Sequence, residues 1–288
     1  MSCKLVLVPS FPGLLDCLLH KLRISCLEDP LEPKWVVVPT STVANHLRIR
    51  LGREAGESVL SGVRIIPIVN FIDRFVARDG NPNAQRWDCS LDLLLFELVQ
   101  SFSHSSLLGV LREMSSGYRF LRPTFLDLAD GGFGLDQCEI LQELSEDSEL
   151  SPLEREVISL YVSWLQLLEN RGLNWKSLQQ QQVPQWISQV QEEEILSSLA
   201  CEKGQSAKVF VYGFYDFTDT NVEIISSLAQ RVPMVIFYPF IEQGPESHTA
   251  FSFADDVLKD LKVRLGTALE DVEKRENIPK KTPYKPET

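Results

Sequence analysis

No stretch of this sequence reaches the roughly 18 successive apolar residues that a membrane-spanning helix needs. Lys4, Asp16 and Lys21 interrupt the apolar start where a signal peptide would carry its hydrophobic core, so the expected location is cytoplasmic. Cysteine is sparse and scattered. Cys3, Cys17, Cys26, Cys89, Cys138 and Cys201 form no C-x-x-C pair, and only four histidines (His20, His46, His104, His248) could help them. Neither a zinc site nor a disulfide framework is indicated. Positive charge is also short: 28 Lys+Arg against 40 Asp+Glu leave a net charge of −12. That excludes binding to nucleic acid by bulk charge. A local basic face stays open, because residues 1–80 carry 10 basic and 8 acidic side chains while the remaining 208 carry 18 and 32.

The usual catalytic signatures are missing too. A phosphate-binding loop needs glycines for close backbone approach and a lysine for the terminal phosphates. The segment Pro9-Ser10-Phe11-Pro12-Gly13-Leu14-Leu15-Asp16 has one glycine, no lysine and an aspartate that repels phosphate, and reads as a plain strand-to-helix turn. The acidic pair that would hold Mg²⁺ at a later strand end is replaced by Tyr212-Gly213, which cannot coordinate it. Asp216 and Asp219 nearby are read as caps. Glu32-Pro33-Lys34 resembles a nuclease triplet, but Pro33 puts it in a loop before a strand. There is no G-x-S-x-G elbow, and each histidine is read as structural or exposed.

What is present is a folded-protein composition: 288 residues, 44% hydrophobic, 24% charged and 9% aromatic, enough for one large domain or two modest ones. Short apolar runs at Lys4–Val8, Trp35–Val38 and Val63–Ile66 alternate with helical patterns at Leu14–Leu22, Val43–Leu51 and Phe71–Phe75. Arg48, Arg50 and Arg53 lie beside the second pattern, and Arg74 and Arg78 beside the third. Strands apolar on both faces imply parallel β in an α/β layer. Residues 81–207 then read as a helical insertion. Its clearest element starts at Ser151-Pro152-Leu153-Glu154, a capping box with proline in the first turn, and runs to about Gly172. Within the insertion, Asp136–Glu156 holds eight acidic residues and one basic, a solvated acidic surface.

The α/β pattern returns at Lys208–Tyr212 and Met234–Tyr238, joined by a helix with Thr220-x-x-Glu223 as its expected capping box. Residues 1–80 and 208–270 therefore form one α/β domain around the insertion, and 271–288 reads as a disordered tail or a truncation point. For binding, Pro39-Thr40-Ser41-Thr42 offers hydroxyls and amides at a helix N-terminus, with Asn45 and Arg48 one turn on, suited to a phosphate backbone. A capped helix with solvated arginines explains the same residues equally well. Asn70 and Arg74 are a weaker instance.

The order of these segments resembles the first motor domain of superfamily 1 DNA helicases, above all the inactivated motor half of AddB and RecC-like helicase-nuclease subunits of the PD-(D/E)XK exonuclease family. Val36-Val37-Val38-Pro39-Thr40 with its helix resembles motif Ia, and Val63 through Phe75 resembles motif Ib. Val209 through Ala229, with Gly213-Phe214 and Phe217-Thr218, resembles the altered motif II segment. Leu160–Leu178 is similar to the late 1B region, and Arg122–Leu128 fits it more loosely.

The resemblance implies a RecA-like parallel sheet interrupted by a helical 1B-type subdomain. Thr40, Ser41, Thr42, Asn45, Arg48, Asn70 and Arg74 would touch DNA at the C-terminal strand ends, and Ser10, Gly13, Tyr212, Gly213 and Asp216 would mark a degenerate nucleotide site. It implies a non-catalytic DNA-binding scaffold of an ATP-dependent helicase-nuclease in double-strand-break repair and recombination. Such a chain is inactive alone, has no metal and no cofactor of its own, and leaves ATP and Mg²⁺ to the complete complex. The expected partners are single-stranded DNA or a duplex end and a helicase-nuclease subunit, without a membrane. The family's second motor domain, nuclease domain and iron-sulfur cysteines are not in these 288 residues, so the chain is expected to be a piece of a longer subunit or a shortened relative. The rival expectation is a protein-interaction scaffold whose acidic face meets a basic partner.

Overall fold

A computed structural model describes residues 3–8, 11–54, 62–76, 88–101, 111, 113, 117–173, 176–199, 201, 205–240 and 252–274. In chain order the elements are β1 (Cys3–Val8), α1 (Phe11–Glu28), β2 (Lys34–Val38), α2 (Ser41–Glu54), β3 (Val63–Pro67) and α3 (Ile68–Val76). The helical stretch holds α4 (Asp88–Ser101), α5 (Leu121–Asp130), α6 (Cys138–Glu146), α7 (Pro152–Asn170), α8 (Lys176–Gln189) and α9 (Glu192–Ser198). The chain then forms β4 (Lys208–Tyr212), α10 (Asp219–Ala229), β5 (Met234–Pro239), α11 (Ser252–Leu265) and β6 (Leu269–Lys274).

The six strands form one sheet in the order β3-β2-β4-β5-β1-β6, every neighbouring pair parallel. With β5 between β1 and β4, and helices inserted between β3 and β4, this is an all-parallel α/β fold consistent with a RecA-like one, carrying a helical insertion. The five strands expected from apolar runs are all present. The central ones, KWVVV, KVFVY and MVIFYP, are buried almost throughout because helices cover both faces. The sixth departs from expectation. Leu269–Lys274 reads LEDVEK, and as an edge strand beside β1 it keeps its polar side chains in water. It extends the α/β domain past residue 270, and Lys21 on α1 pairs with its Glu273 at 2.9 Å. Residues 275–288, where the tail was expected, lie outside the described residues.

The two sheet faces take different helices. Leu14, Leu18 and Leu22 of α1 and Ala44, Leu47 and Leu51 of α2 pack with Val6, Val36, Phe210, Tyr212 and Phe237 on one face. On the other, Trp35 meets Phe71 of α3, with ring centroids 5.9 Å apart, and Tyr238 meets Phe217 at 6.5 Å. The chain separates into two compact units: residues 1–75, 186–217 and 222–288, and residues 76–185 with 218–221. The break therefore falls inside α8, next to Pro184, where the sequence pattern had placed the end of the insertion at residue 207.

The helical unit has its own core. Phe125, Tyr161 and Trp164 cluster with centroids 5.1–6.1 Å apart, and the Tyr161 hydroxyl donates to the Phe133 carbonyl at 2.6 Å. The capping box at Ser151 is formed as expected. The Glu154 amide donates to Ser151 Oγ, and the Ser151 amide to the Glu154 carboxylate at 2.8 Å. The box expected at Thr220 is not formed. Here α10 begins one residue earlier, Thr218 Oγ1 accepts from the Asn221 amide at 3.3 Å, and Thr220 is buried in the first turn. Among the described residues no helix is long and apolar enough to cross a membrane.

Candidate functional site

The C-terminal strand ends of the α/β unit are shaped by where each chain exit goes. After β2 the backbone turns at Pro39-Thr40 and enters α2 on one face, whereas after β4 it turns at Gly213 and runs through Phe214 and Phe217 toward the other. Adjacent parallel strands whose exits diverge leave a crevice between them, the usual ligand position in open α/β sheets.

Thr40 begins the α2 side. Its Oγ1 accepts from the Val43 amide at 3.3 Å and its carbonyl from the Ala44 amide at 3.0 Å, so it is the N-cap and its hydroxyl faces its own helix. Ser41 and Thr42 are exposed in the first turn. Asn45 and Arg48 are brought together: Arg48 Nη1 donates to Asn45 Oδ1 at 2.7 Å and Nη2 to the Ile65 carbonyl of β3 at 2.6 Å. The helix carries no acid before Glu54, and Arg48, Arg50 and Arg53 are exposed along it. Asn70 is exposed in the first turn of α3.

Arg74 is a correction to the expected row. It lies in the last turn of α3, with its guanidinium 4.7 Å from the Trp35 ring centroid and its Nε donating to the Ser198 carbonyl at 2.8 Å. Trp35 is the second residue of β2, so Arg74 packs near the strand starts, away from Thr40 at the strand ends. A guanidinium seated on an indole beside a buried carbonyl is a structural part.

Of the expected nucleotide-site remnants, Ser10 lies outside the described residues. Gly13 is buried in the first turn of α1. Tyr212 ends β4 with 9% exposure, and its ring packs in the core shared by α1 and α2. Burial pushes its phenol up to about 12, while the Arg50 guanidinium pulls it back and Asp16 pushes it further up. Gly213 has φ +82°, a left-handed turn under Val43 and Pro39 that side chains disfavour. Asp216 is exposed, and its charge helps hold the buried Tyr238 phenol protonated. These residues therefore form a turn, not a phosphate cradle. Among the described residues no group of three or more His, Cys, Asp and Glu is placed to hold a metal ion.

One pocket joins the two sets. It has a volume of about 490 Å³ and lies between Leu15 of α1, the inner side of α2, and Tyr212 and Gly213 of β4. Thr42 comes from the DNA-binding set and Tyr212 and Gly213 from the nucleotide set, while His46 and Arg50 complete it without having been singled out. The signal for them was Thr42-x-x-x-His46-x-x-x-Arg50, one polar row at helical spacing. No protein-family model matches this chain, and a search of curated proteins returns no match.

Proposed function

We propose that this chain is a non-catalytic DNA-binding scaffold, an inactivated superfamily 1 motor half of the AddB and RecC-like kind, working inside a helicase-nuclease that processes double-strand breaks. ATP hydrolysis and DNA cleavage belong, on this reading, to other chains or domains of the complex, which bring the ATP and Mg²⁺. The observation that carries it is the rim of α2. In a chain of net charge −12, a helix that starts at the strand ends of a RecA-like sheet is free of acids until its last residue and presents three exposed arginines along its length. Thr40, Ser41, Thr42, Asn45 and Arg48 supply donors for phosphate oxygens, with Asn70 at the next strand end. The turn at Tyr212-Gly213 supports the non-catalytic half of the reading, since neither side chain ligates Mg²⁺.

Fluorescent single-stranded and forked DNA titrated at two salt concentrations tests it, comparing the wild type with an Arg48→Glu/Arg53→Glu double variant. Salt-sensitive binding that the double variant weakens by about tenfold, with a salt slope reduced by roughly 0.7–0.9 per lost contact, is the expected outcome. Absence of binding at low salt would overturn the DNA assignment and favour the interaction scaffold. That second reading has its own support in the helical unit, where Glu139, Glu143, Glu146 and Glu149 are exposed along α6 and the turn after it.

A further inference from the structure

The pocket under α2 is built unlike a phosphate-backbone groove. Its walls are segregated. Leu15, Val43 and Leu47 line the apolar side, and Thr42, His46 and Arg50 follow one another at four-residue intervals along the helix. An apolar chamber with a few convergent polar groups, at a volume inside the roughly 300–1,000 Å³ of ligand sites, has the makeup of a small-molecule pocket. It also lies where the β2 and β4 exits diverge.

Tyr212 adds an independent observation. Its side chain is more than nine-tenths buried, lines the pocket, and makes no hydrogen bond among the described residues. Burial keeps the phenol protonated, so at neutral pH it presents a donor beside the Arg50 guanidinium. Asp16 also acts on this hydroxyl. A cation and two neutral donors with one carboxylate close by accept a single negative charge and resist a second.

We propose that this pocket binds a small amphipathic monoanion, a carboxylate on an apolar body, with the head toward Arg50 and Tyr212 and the body against Leu15, Val43 and Leu47. The site shares Thr42 and Arg50 with the proposed DNA rim, but its test uses no DNA and does not depend on that reading. Polyphosphates are disfavoured by the same Asp16 that tolerates a monocarboxylate.

Calorimetric titration of the full chain with 4-phenylbutyrate, its uncharged amide, and inorganic triphosphate tests the assignment. Expected are one saturable site for the carboxylate, at least tenfold weaker binding of the amide, and no binding of triphosphate in the same range. Arg50→Gln should weaken the carboxylate about tenfold and leave the amide unchanged, and Thr42→Trp, which crowds the mouth from an exposed position, should weaken both. Equal affinity for acid and amide overturns the proposal. So does a carboxylate isotherm unchanged by Arg50→Gln, tighter binding of triphosphate, or no heat at millimolar carboxylate. If Arg50→Gln fails to fold, the acid-against-amide comparison on the wild type decides alone.

Discussion

The two ends of the parallel sheet use cations in opposite ways. At the strand starts several are engaged by the protein itself. Lys34 is fully buried, with its Nζ donating to the Asp29 and Glu32 carbonyls, the latter at 2.8 Å. Arg64 and Arg74 lie 5.1 and 4.7 Å from the Trp35 ring centroid, and Trp35 Nε1 in turn donates to the Leu199 carbonyl at 3.1 Å. Even the pocket of about 310 Å³ near Lys4, Lys21 and Lys208 has Lys21 paired with Glu273 and Lys208 over the Phe210 ring. Along α2, which leaves the strand ends, Arg48, Arg50 and Arg53 keep exposed side chains, Arg48 with hydrogen bonds to Asn45 and the Ile65 carbonyl. Burial, complete at Lys34 and partial at Arg74, sets these two apart from the exposed arginines of α2.

The contrast can be broken most sharply at Lys34. Lys34→Met should lower stability by about 3 kcal/mol, because it leaves two part-buried carbonyls without their donor, read as a fall in the urea midpoint. Arg74→Gln should cost about 2 kcal/mol through the lost Ser198 bond and the loosened stack on Trp35, and should leave DNA affinity unchanged. Arg48→Gln should reverse that pattern, with a stability change below about 1 kcal/mol and a measurable fall in DNA affinity. Equal stability losses at Arg74 and Arg48 would erase the difference between the two ends.

Smaller effects sharpen the strand-end description. Gly213→Ala should cost about 1–2 kcal/mol from the left-handed φ alone, since the added methyl meets only ordinary contacts at 3.5 Å from Val43. The alkaline limb of stability reports on Tyr212. Its phenol ionises at about 12 when folded and near 10 otherwise, so the folded state favours the protonated form. That contribution is complete below pH 10 and is lost as pH rises through 12. Melting temperatures followed over this range should fall, and Tyr212→Phe should flatten part of the slope. Tyr161, Tyr238 and Cys3, all raised chiefly by burial, add to the same limb.

Much of the fold was legible because its signals are local. Five strands show as short apolar runs, and the Ser151 box shows as a four-residue pattern. β6 escaped because an edge strand keeps polar side chains, so LEDVEK resembles a tail until β1 lies beside it. Thr220 misled because Thr218 competes for the same cap two residues earlier. At the site, Thr40, Asn45 and Arg48 fell together as their helical spacing required. Arg74 did not, because its partners Trp35 and Ser198 are remote in sequence, and nothing nearby in the chain marks it as engaged. The pocket was illegible for the same reason. It needs Leu15 and Tyr212 in one place, and only the sheet order brings them together.

The placement of the insertion also governs how the chain reaches its fold. β2 takes β3 and β4 as neighbours, yet β3 ends at Pro67 and β4 begins at Lys208. At roughly 5–20 residues per second, synthesis leaves an interval of about 10–30 s in which β1 and β2 exist without their central partners. The helical unit draws nearly all its core from residues within that interval and can condense first. The sheet closes last, through pairings of long sequence separation that make its assembly slow. During that wait Leu5–Val8 and Trp35–Val38 lack the strands β5 and β4 that pair with them in the finished sheet.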